Sequence, residues 1–265
     1  MLDPSYNLEK NTFCFKHHVT KSPPCDAFSM HTHNLFELLY IVNGDATHII
    51  EDRKYKLKKG DLILIRPSKY HFIQIDSSVD YERYDILFDE KALGLDIAKR
   101  LAKASEVINI SDNAIVTDLF KKSDYYYANL EEAEFIGMME LMLKELFINL
   151  SIKREYVAPE YSVINPVLSD ALKYINANLF VLKSVSEIAN ALFITESYLF
   201  KIFKTELKNT PKKYINDKRL LYAQKQILQG KKPTEIYEDC GFNDYTSFYR
   251  SYIKYFAHSP SSDLK

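Results

Sequence analysis

Two groups of residues in this chain have the types and spacing to do chemistry. The first is His31-x-His33-x3-Glu37, followed by Gly44, Gly60, Pro67 and His71. Strand side chains alternate between faces, so His31, His33 and Glu37 share a face with Leu35, Leu39 and Ile41 if the strand begins early enough. His71, just past a later turn, can join them. Two or three imidazoles with a carboxylate suit divalent iron, manganese or nickel. The same groups can instead line a pocket for a small organic ligand, or satisfy one another. The second group sits on two segments near the C-terminus, with Ser197, Phe200 and Lys201 on one and Thr246 and Arg250 on the other. On a helix seated in the DNA major groove, Lys and Arg reach guanine acceptors, hydroxyls reach base edges or phosphates, and an aromatic ring meets a thymine methyl.

The second group belongs to an internal repeat. Ser186-Glu187-Ile188-Ala189 returns as Thr234-Glu235-Ile236-Tyr237, at an offset of 48. Tyr198 to Lys204 returns as Ser247 to Ile253 at an offset of 49, which also carries Thr210-Pro211 onto Ser259-Pro260. A repeat of this period is a helical pair used twice, with one extra residue in the second turn. In the first copy Ser184 and Glu187 form a capping box, and the helix buries Val185, Ile188, Ala189 and Leu192. Thr195 is the N-cap of the next helix and stands with the DNA-facing set. Leu199, Ile202 and Phe203 point inward, leaving Glu196, Ser197, Phe200 and Lys201 outward. In the second copy Pro233 opens the first helix, Gly241-Phe242 makes the turn and Asp244 is the N-cap. Phe248 and Tyr252 point inward, leaving Tyr245, Thr246, Tyr249 and Arg250 outward. Lys204, Asn243 and Lys254 suit phosphate contacts. A helix from Pro211 to Gln229, with Tyr214, Leu220, Leu221, Ile227 and Leu228 on its apolar stripe, joins the copies. It would set the two reading helices in successive major grooves, roughly 34 Å apart.

The elements that must position the histidines read as short strands between about residues 12 and 90. They are Leu35 to Val42, Thr47 to Glu51, Asp61 to Ile65, His71 to Ile75 and Tyr81 to Phe88. Asn43-Gly44-Asp45, Glu51-Asp52-Arg53, Lys59-Gly60 and Arg66-Pro67-Ser68 punctuate them. This pattern predicts a sandwich or barrel. Helical spacing follows at Ile97, Leu101 and Ala104. A helix capped by Ser111 or Asp112 runs through Ile115 and Leu119, and a long apolar helix spans Glu131 to Ile152. That helix packs on the barrel or pairs with its copy in a dimer. Asn165-Pro166 opens the next helix, with Leu168, Leu172, Ile175 and Leu179 on one face. The domains read as 1–155, a linker at 156–164, and 165–265.

At 265 residues the chain can form two cores. Its net charge of −1 hides an asymmetry. From Asn165 onward there are 15 Lys and Arg against 10 Asp and Glu; the rest has 20 against 26. A basic C-terminal half on an acidic N-terminal half fits nucleic-acid binding joined to other work. The three cysteines, Cys14, Cys25 and Cys240, are scattered without CxxC spacing, which argues against a disulfide framework or zinc knuckle. Residues 1–11 lack an apolar signal core and no apolar run approaches about 18 residues. A cytoplasmic protein without membrane contact is expected.

The repeat carries a family resemblance. Ile188-Ala189, Tyr198-Leu199, Phe203-Lys204, Thr210-Pro211, Tyr214, Arg219-Leu220, Ala223, Glu235-Ile236, Gly241-Phe242, Asp244, Phe248, Arg250 and Ser259-Pro260 resemble the AraC/XylS family of bacterial transcription regulators. His31 to Gly44, with Gly60, Pro67 and His71, is similar to the two motifs of the cupin superfamily, with Lys69 where cupin enzymes usually have Gly. Tyr81 to Asp89 is similar to the sensor unit often found in the AraC family. The resemblance implies an α+β protein: a cupin-like β-barrel with flanking helices, then an all-α domain of two helix-turn-helix units. It implies a non-enzymatic regulator, often an activator, that binds promoter DNA as a homodimer, contacts RNA polymerase and needs no cofactor. A sugar or related metabolite would sit among His31, His33, Glu37 and His71. The alternative is a metal-binding cupin, enzyme or metal sensor, fused to a DNA-binding domain, with those four residues as ligands. The chain departs from the family pattern at Lys208 and Ala257, where Gly is usual after each reading helix. A left-handed turn there costs strain unless Asn209 or the following Thr/Ser-Pro step takes it. Tyr237 replaces a small Ala, so its ring must change helix packing or point toward DNA or another domain. Ile253 replaces a Lys. The second unit is therefore expected to bind more weakly or with relaxed specificity.

Overall fold

A computed structural model describes residues 5–10, 12–22, 24, 30–76, 79–89, 91, 93–94, 105–152 and 161–264. Cys25, the helical spacing at Ile97, Leu101 and Ala104, and residues 156–160 of the expected linker lie outside them. The described residues form two compact units, one of residues 5–31, 35–50 and 54–162 and the other of residues 32–34, 51–53 and 163–264.

Among the described residues, ten strands and two helices occur up to Val163. The strands are β1 (Ser5–Glu9), β2 (Phe13–Thr20), β3 (Phe36–Asn43), β4 (Ala46–Ile50), β5 (Arg53–Leu57), β6 (Asp61–Ile65), β7 (His71–Ile75), β8 (Tyr81–Phe88), β9 (Val107–Asn109) and β10 (Tyr161–Val163). They make two sheets, ordered β1-β2-β8-β3-β6-β9 and β10-β5-β4-β7, rather than one closed ring. The larger sheet is apolar on both faces because both are covered. Alternation along β8 sends Tyr84, Ile86 and Phe88 to the face shared with Phe13, Phe15, Phe36 and Leu38, against helices α1 (Ala114–Asn129) and α2 (Glu132–Ile152). The opposite face carries Leu39, Ile41, Ile63 and Ile65 into a second core with Ala46, Ile50, Ile73 and Ile75 of the smaller sheet. Each of these large side chains contributes about 1.5–3 kcal/mol on burial.

A polar clamp fixes α1 to the larger sheet. The buried His17 ring stacks on Tyr84 at 3.8 Å. Its Nδ1 lies 3.0 Å from Asp124 and its Nε2 3.1 Å from Glu82, while Tyr84 donates to Asp124 at 2.6 Å.

Several sequence expectations need correction. Arg53, expected in a turn, begins β5, and Tyr161 to Val163, expected as linker, forms β10 beside it. The cap of α1 is Asn113, whose side chain accepts from Val116 N at 3.2 Å, rather than Ser111 or Asp112. Strand β3 begins at Phe36, too late to include His31 and His33.

The second unit is helical: α3 (Pro166–Asn178), α4 (Val185–Ala191), α5 (Glu196–Leu207), α6 (Pro211–Leu228), α7 (Pro233–Ile236), α8 (Tyr245–Phe256) and a final 3-10 turn, Pro260–Asp263. Local side-chain caps set their starts. Asn165, Thr195, Thr210 and Asp244 each accept a hydrogen bond from a backbone N–H two or three residues on. Ser184 occupies its cap position but makes no cap hydrogen bond; its hydroxyl meets Ser186 and Glu187, and Glu187 accepts from Lys183 N instead. The expected capping box is thus not made: neither of its two reciprocal hydrogen bonds forms. Residues Ile188, Ala189, Leu199, Ile202 and Phe203 are buried as expected, and Val185 and Leu192 are half-buried. On α6, Tyr214, Leu220, Leu221 and Ile227 are buried, but Leu228 is exposed and leaves the expected stripe.

Both departures from Gly sit in left-handed backbone. Lys208 has φ 48° and Ala257 has φ 61°, closing α5 and α8. Asn209 does not take the turn, nor do the Thr/Ser-Pro steps. At Gly241, φ is 84°, and an added Cβ would stand 2.7 Å from Arg219 Nε and 2.9 Å from the Phe180 carbonyl oxygen. The Arg219 guanidinium is held there by the carbonyls of Leu179, at 2.8 Å, and Leu182, at 2.5 Å.

Candidate functional site

Backbone pairing brings the histidines together where strand alternation does not. His31 N donates to the His71 carbonyl at 3.1 Å, and His71 N donates to the His31 carbonyl at 3.0 Å. This isolated bridge joins the segment before β3 to the start of β7. One ligand atom from each of His31, His33, Glu37 and His71 then lies within 4.8 Å of the others. All four residues singled out in the sequence converge. His31 is exposed, His33 half-buried, and Glu37 and His71 are 6% and 1% exposed, so the group runs from the surface into the interior.

The His71 tautomer follows from its neighbours. Its Nδ1 is 2.9 Å from the Lys69 carbonyl, an acceptor only, so Nδ1 carries a proton. Nε2 faces Glu37 Oε2 at 2.9 Å. Burial disfavours charge on the ring, but the Glu37 carboxylate and the Lys69 carbonyl outweigh it and hold the His71 pKa above the ordinary histidine range.

Two interior groups escaped the sequence reading. His48 on β4 is 1% exposed, and neither ring nitrogen has a hydrogen-bond partner. Its ring is 5.8 Å from that of His71. Burial, then the neighbouring His71, holds its pKa down at about 3, so it is neutral. Asp85 on β8 faces the same interior as Leu39, its cross-strand partner. Burial and the nearby Glu37 charge push its carboxyl up to about 7, against the opposing charges of Arg83, Lys16 and His71. The available signal was register: His48 alternates with Ala46 and Ile50, both of them core residues.

The second candidate surface lies on α5 and α8, each started by its side-chain cap. Thr195, Glu196, Ser197, Phe200, Lys201 and Lys204 are exposed around α5, and Asn243, Thr246, Tyr249, Arg250 and Lys254 around α8. Tyr245 differs: it is half-buried, packed against Tyr237 at 5.8 Å and Phe248 at 5.9 Å. Of the three fates open to the Tyr237 ring, the observed one is packing on the start of α8, with its hydroxyl donating to Glu238 at 2.9 Å.

A β-rich unit with a polar interior, followed by a doubled helix-turn-helix, defines a ligand-responsive DNA-binding regulator as a class. Residues 19–123 match the AraC-like ligand binding domain and residues 188–265 match a helix-turn-helix domain family. The activator RhaR of Enterobacter sp. (strain 638) is 25% identical over 242 residues, covering 85% of this chain and 83% of its own. The lactose operon transcription activator of Staphylococcus xylosus is 27% identical over 228 residues, covering 84% and 82%. The probable transcriptional regulator LumQ of Photobacterium leiognathi is 31% identical over 99 residues, which is 37% of this chain and 39% of that one. Among solved structures, ToxT of Vibrio cholerae O395 aligns over 96% of this chain and 97% of its own, at 14% identity and a TM-score of 0.39. The chain belongs to the AraC family of transcription regulators. No helix among the described residues is long and apolar enough to cross a membrane.

Proposed function

We propose that the chain is a cytoplasmic, homodimeric, non-enzymatic regulator that reads promoter DNA through α5 and α8. It answers to a small molecule bound at the interior of its first unit. The observation that carries the reading is the pair of N-capped helices, each with its hydroxyl and cationic side chains exposed and its apolar side chains buried. Ser197, Lys201, Thr246 and Arg250 meet base edges; Lys204, Asn243 and Lys254 meet phosphates; Thr195, Glu196, Phe200, Tyr245 and Tyr249 complete the surface. A sugar or related metabolite is the favoured effector, supported by a relative named for a lactose operon. Activation through contact with RNA polymerase is favoured by the activator names of two relatives. The boundaries 1–155, 156–164 and 165–265 are proposed as working domain limits.

The test is promoter binding by the purified full chain. Affinity should fall steeply with salt as phosphate contacts release counterions. Lys201→Ala with Arg250→Ala should remove preference for promoter over random duplex while leaving weak, salt-sensitive binding. Full specificity in that double variant overturns the assignment of the reading helices. A thermal-shift panel of sugars and metabolites tests the effector, because a ligand of the native state must raise the melting temperature.

A further inference from the structure

We infer that a cleft in the helical unit binds a small molecule carrying a terminal phosphate. The site goes beyond the reading of the first unit as the sensor, since it gives the helical unit an input of its own.

Shape and charge carry the inference. The cleft holds about 660 Å3, inside the range of roughly 300–1,000 Å3 typical of small-molecule pockets. Three segments of one unit wall it: residues 182–185 leading into α4, the first half of α6, and the turn at Gly241 with α8. Lys183, Lys212, Arg219 and Arg250 line it against one acid, Asp244, so four positive charges face one negative and leave +3. Asp244 is already committed, because it caps α8 and accepts from the Ser247 N–H and hydroxyl, both at 2.8 Å. Lys183, Lys212 and Arg250 form no salt bridge among the described residues.

The floor of the cleft is a separate observation. Arg219 is 8% exposed, whereas Lys183, Lys212 and Arg250 at the rim are exposed. Its Nε and Nη2 donate to the Leu179 and Leu182 carbonyls, and Nη1 makes no hydrogen bond among the described residues. No carboxylate among them pairs with this guanidinium, and burial works against its charge. A guanidinium stays protonated in proteins, and a buried charge calls for an opposite one. The half-buried Asn216 amide adds a donor to the same wall.

These walls select the ligand. A phosphomonoester carries about −1.5 to −2 near neutral pH, which offsets most of the excess charge. Its oxygens accept charge-assisted hydrogen bonds from Arg and Lys. The volume leaves room for a sugar or nucleoside body beside the phosphate. A duplex phosphodiester carries a single charge on the outside of a rod, so it meets the rim cations and not the buried Arg219. Arg250 also belongs to the proposed DNA surface. On the reading of α8 as a DNA-reading helix, the ligand therefore competes with promoter.

The experiment titrates the full chain, free of DNA, with pyrophosphate, glucose 6-phosphate and ADP in a calorimeter. Wild type should bind at least one of them with a dissociation constant below about 1 mM. Lys183→Gln with Lys212→Gln, both at exposed positions, should weaken that binding at least tenfold. Circular dichroism checks that the variant folds. No binding of any of the three by wild type, equal binding of sulfate at matched ionic strength, or binding unchanged in the double variant overturns the site. The probe that binds should also weaken promoter binding by wild type at constant ionic strength; promoter binding left unchanged overturns the placement beside Arg250. If wild type takes up no probe while the double variant lowers promoter affinity and its salt dependence, the cations serve the DNA backbone and the small-molecule site is rejected. Uptake without promoter binding under any condition rejects the regulator reading and leaves the site.

Discussion

Lys208 and Ala257 give the sharpest test of the helical unit. They close α5 and α8 in left-handed backbone, with φ 48° and 61°. That conformation costs an L-residue about 1–2 kcal/mol. Glycine avoids the cost but gives back roughly 0.5–1 kcal/mol through the freedom of the unfolded chain. Both side chains are exposed, so little packing is lost. Lys208→Gly and Ala257→Gly should therefore each add about 0.5–1 kcal/mol, and together about 1–2 kcal/mol if the sites act independently. For a unit of this size that is roughly 4–15 °C in melting temperature.

The assay is urea and thermal denaturation of the full chain, following the transition of the helical unit. Asn209→Gly is the control. Asn209 is buried, lies outside the left-handed region, and its side chain accepts from Thr210 N at 2.8 Å, so glycine there should destabilise. Ala257→Gly is the cleaner variant because charge is unchanged. If it is neutral or destabilising, or if Asn209→Gly stabilises as much, the turn sits elsewhere and the reasoning fails.

Gly241→Ala should cost about 2–4 kcal/mol, from a positive φ and a Cβ pressed on the Arg219 guanidinium and the Phe180 carbonyl; chemical denaturation within 1 kcal/mol of wild type would contradict this. His48→Leu should stabilise the protein by about 1–3 kcal/mol, because it replaces a partnerless buried imidazole with an apolar group; a fall in melting temperature counts against the burial of that ring. The thiols of Cys14 and Cys240 are buried, and burial pushes each up to about 12, so iodoacetamide at pH 8 should modify both only after unfolding. Rapid labelling of either in native protein, read by mass spectrometry, would show that its strand or helix is misplaced.

What the sequence revealed is what short-range chemistry decides. Asp61 to Ile65, His71 to Ile75 and Tyr81 to Phe88 were legible to the residue because their β-branched and aromatic runs are bounded by turn formers. Thr195 and Asp244 were legible because a cap reaches only three residues ahead. The left-handed turns at Lys208 and Ala257 were visible as residues standing where glycine is expected. The His31–His71 bridge was not legible, since it pairs residues forty apart. His48 was hidden for another reason. Every residue of β4 is buried, so alternation of burial does not mark which face holds the polar interior. The capping box failed at Ser184 because Ser186 offers its hydroxyl a competing partner.

The same packing makes the two proposed reading units unequal. In the first, α4 spans seven residues, and Ser197, Phe200 and Lys201 project from α5. In the second, α7 spans four residues, and Tyr237 follows it where a small residue is usual. That ring draws Tyr245 out of the exposed surface of α8 into an aromatic cluster with Phe248. Ile253, 39% exposed, then presents a methyl-bearing chain where a lysine would meet a phosphate. Thr246, Tyr249 and Arg250 still project, but with one phosphate cation fewer beside them. On the proposed reading, α5 therefore supplies most of the base discrimination. Replacing Lys201 should relax specificity more than replacing Arg250, because the helix that carries Arg250 is held less firmly on the backbone it must read.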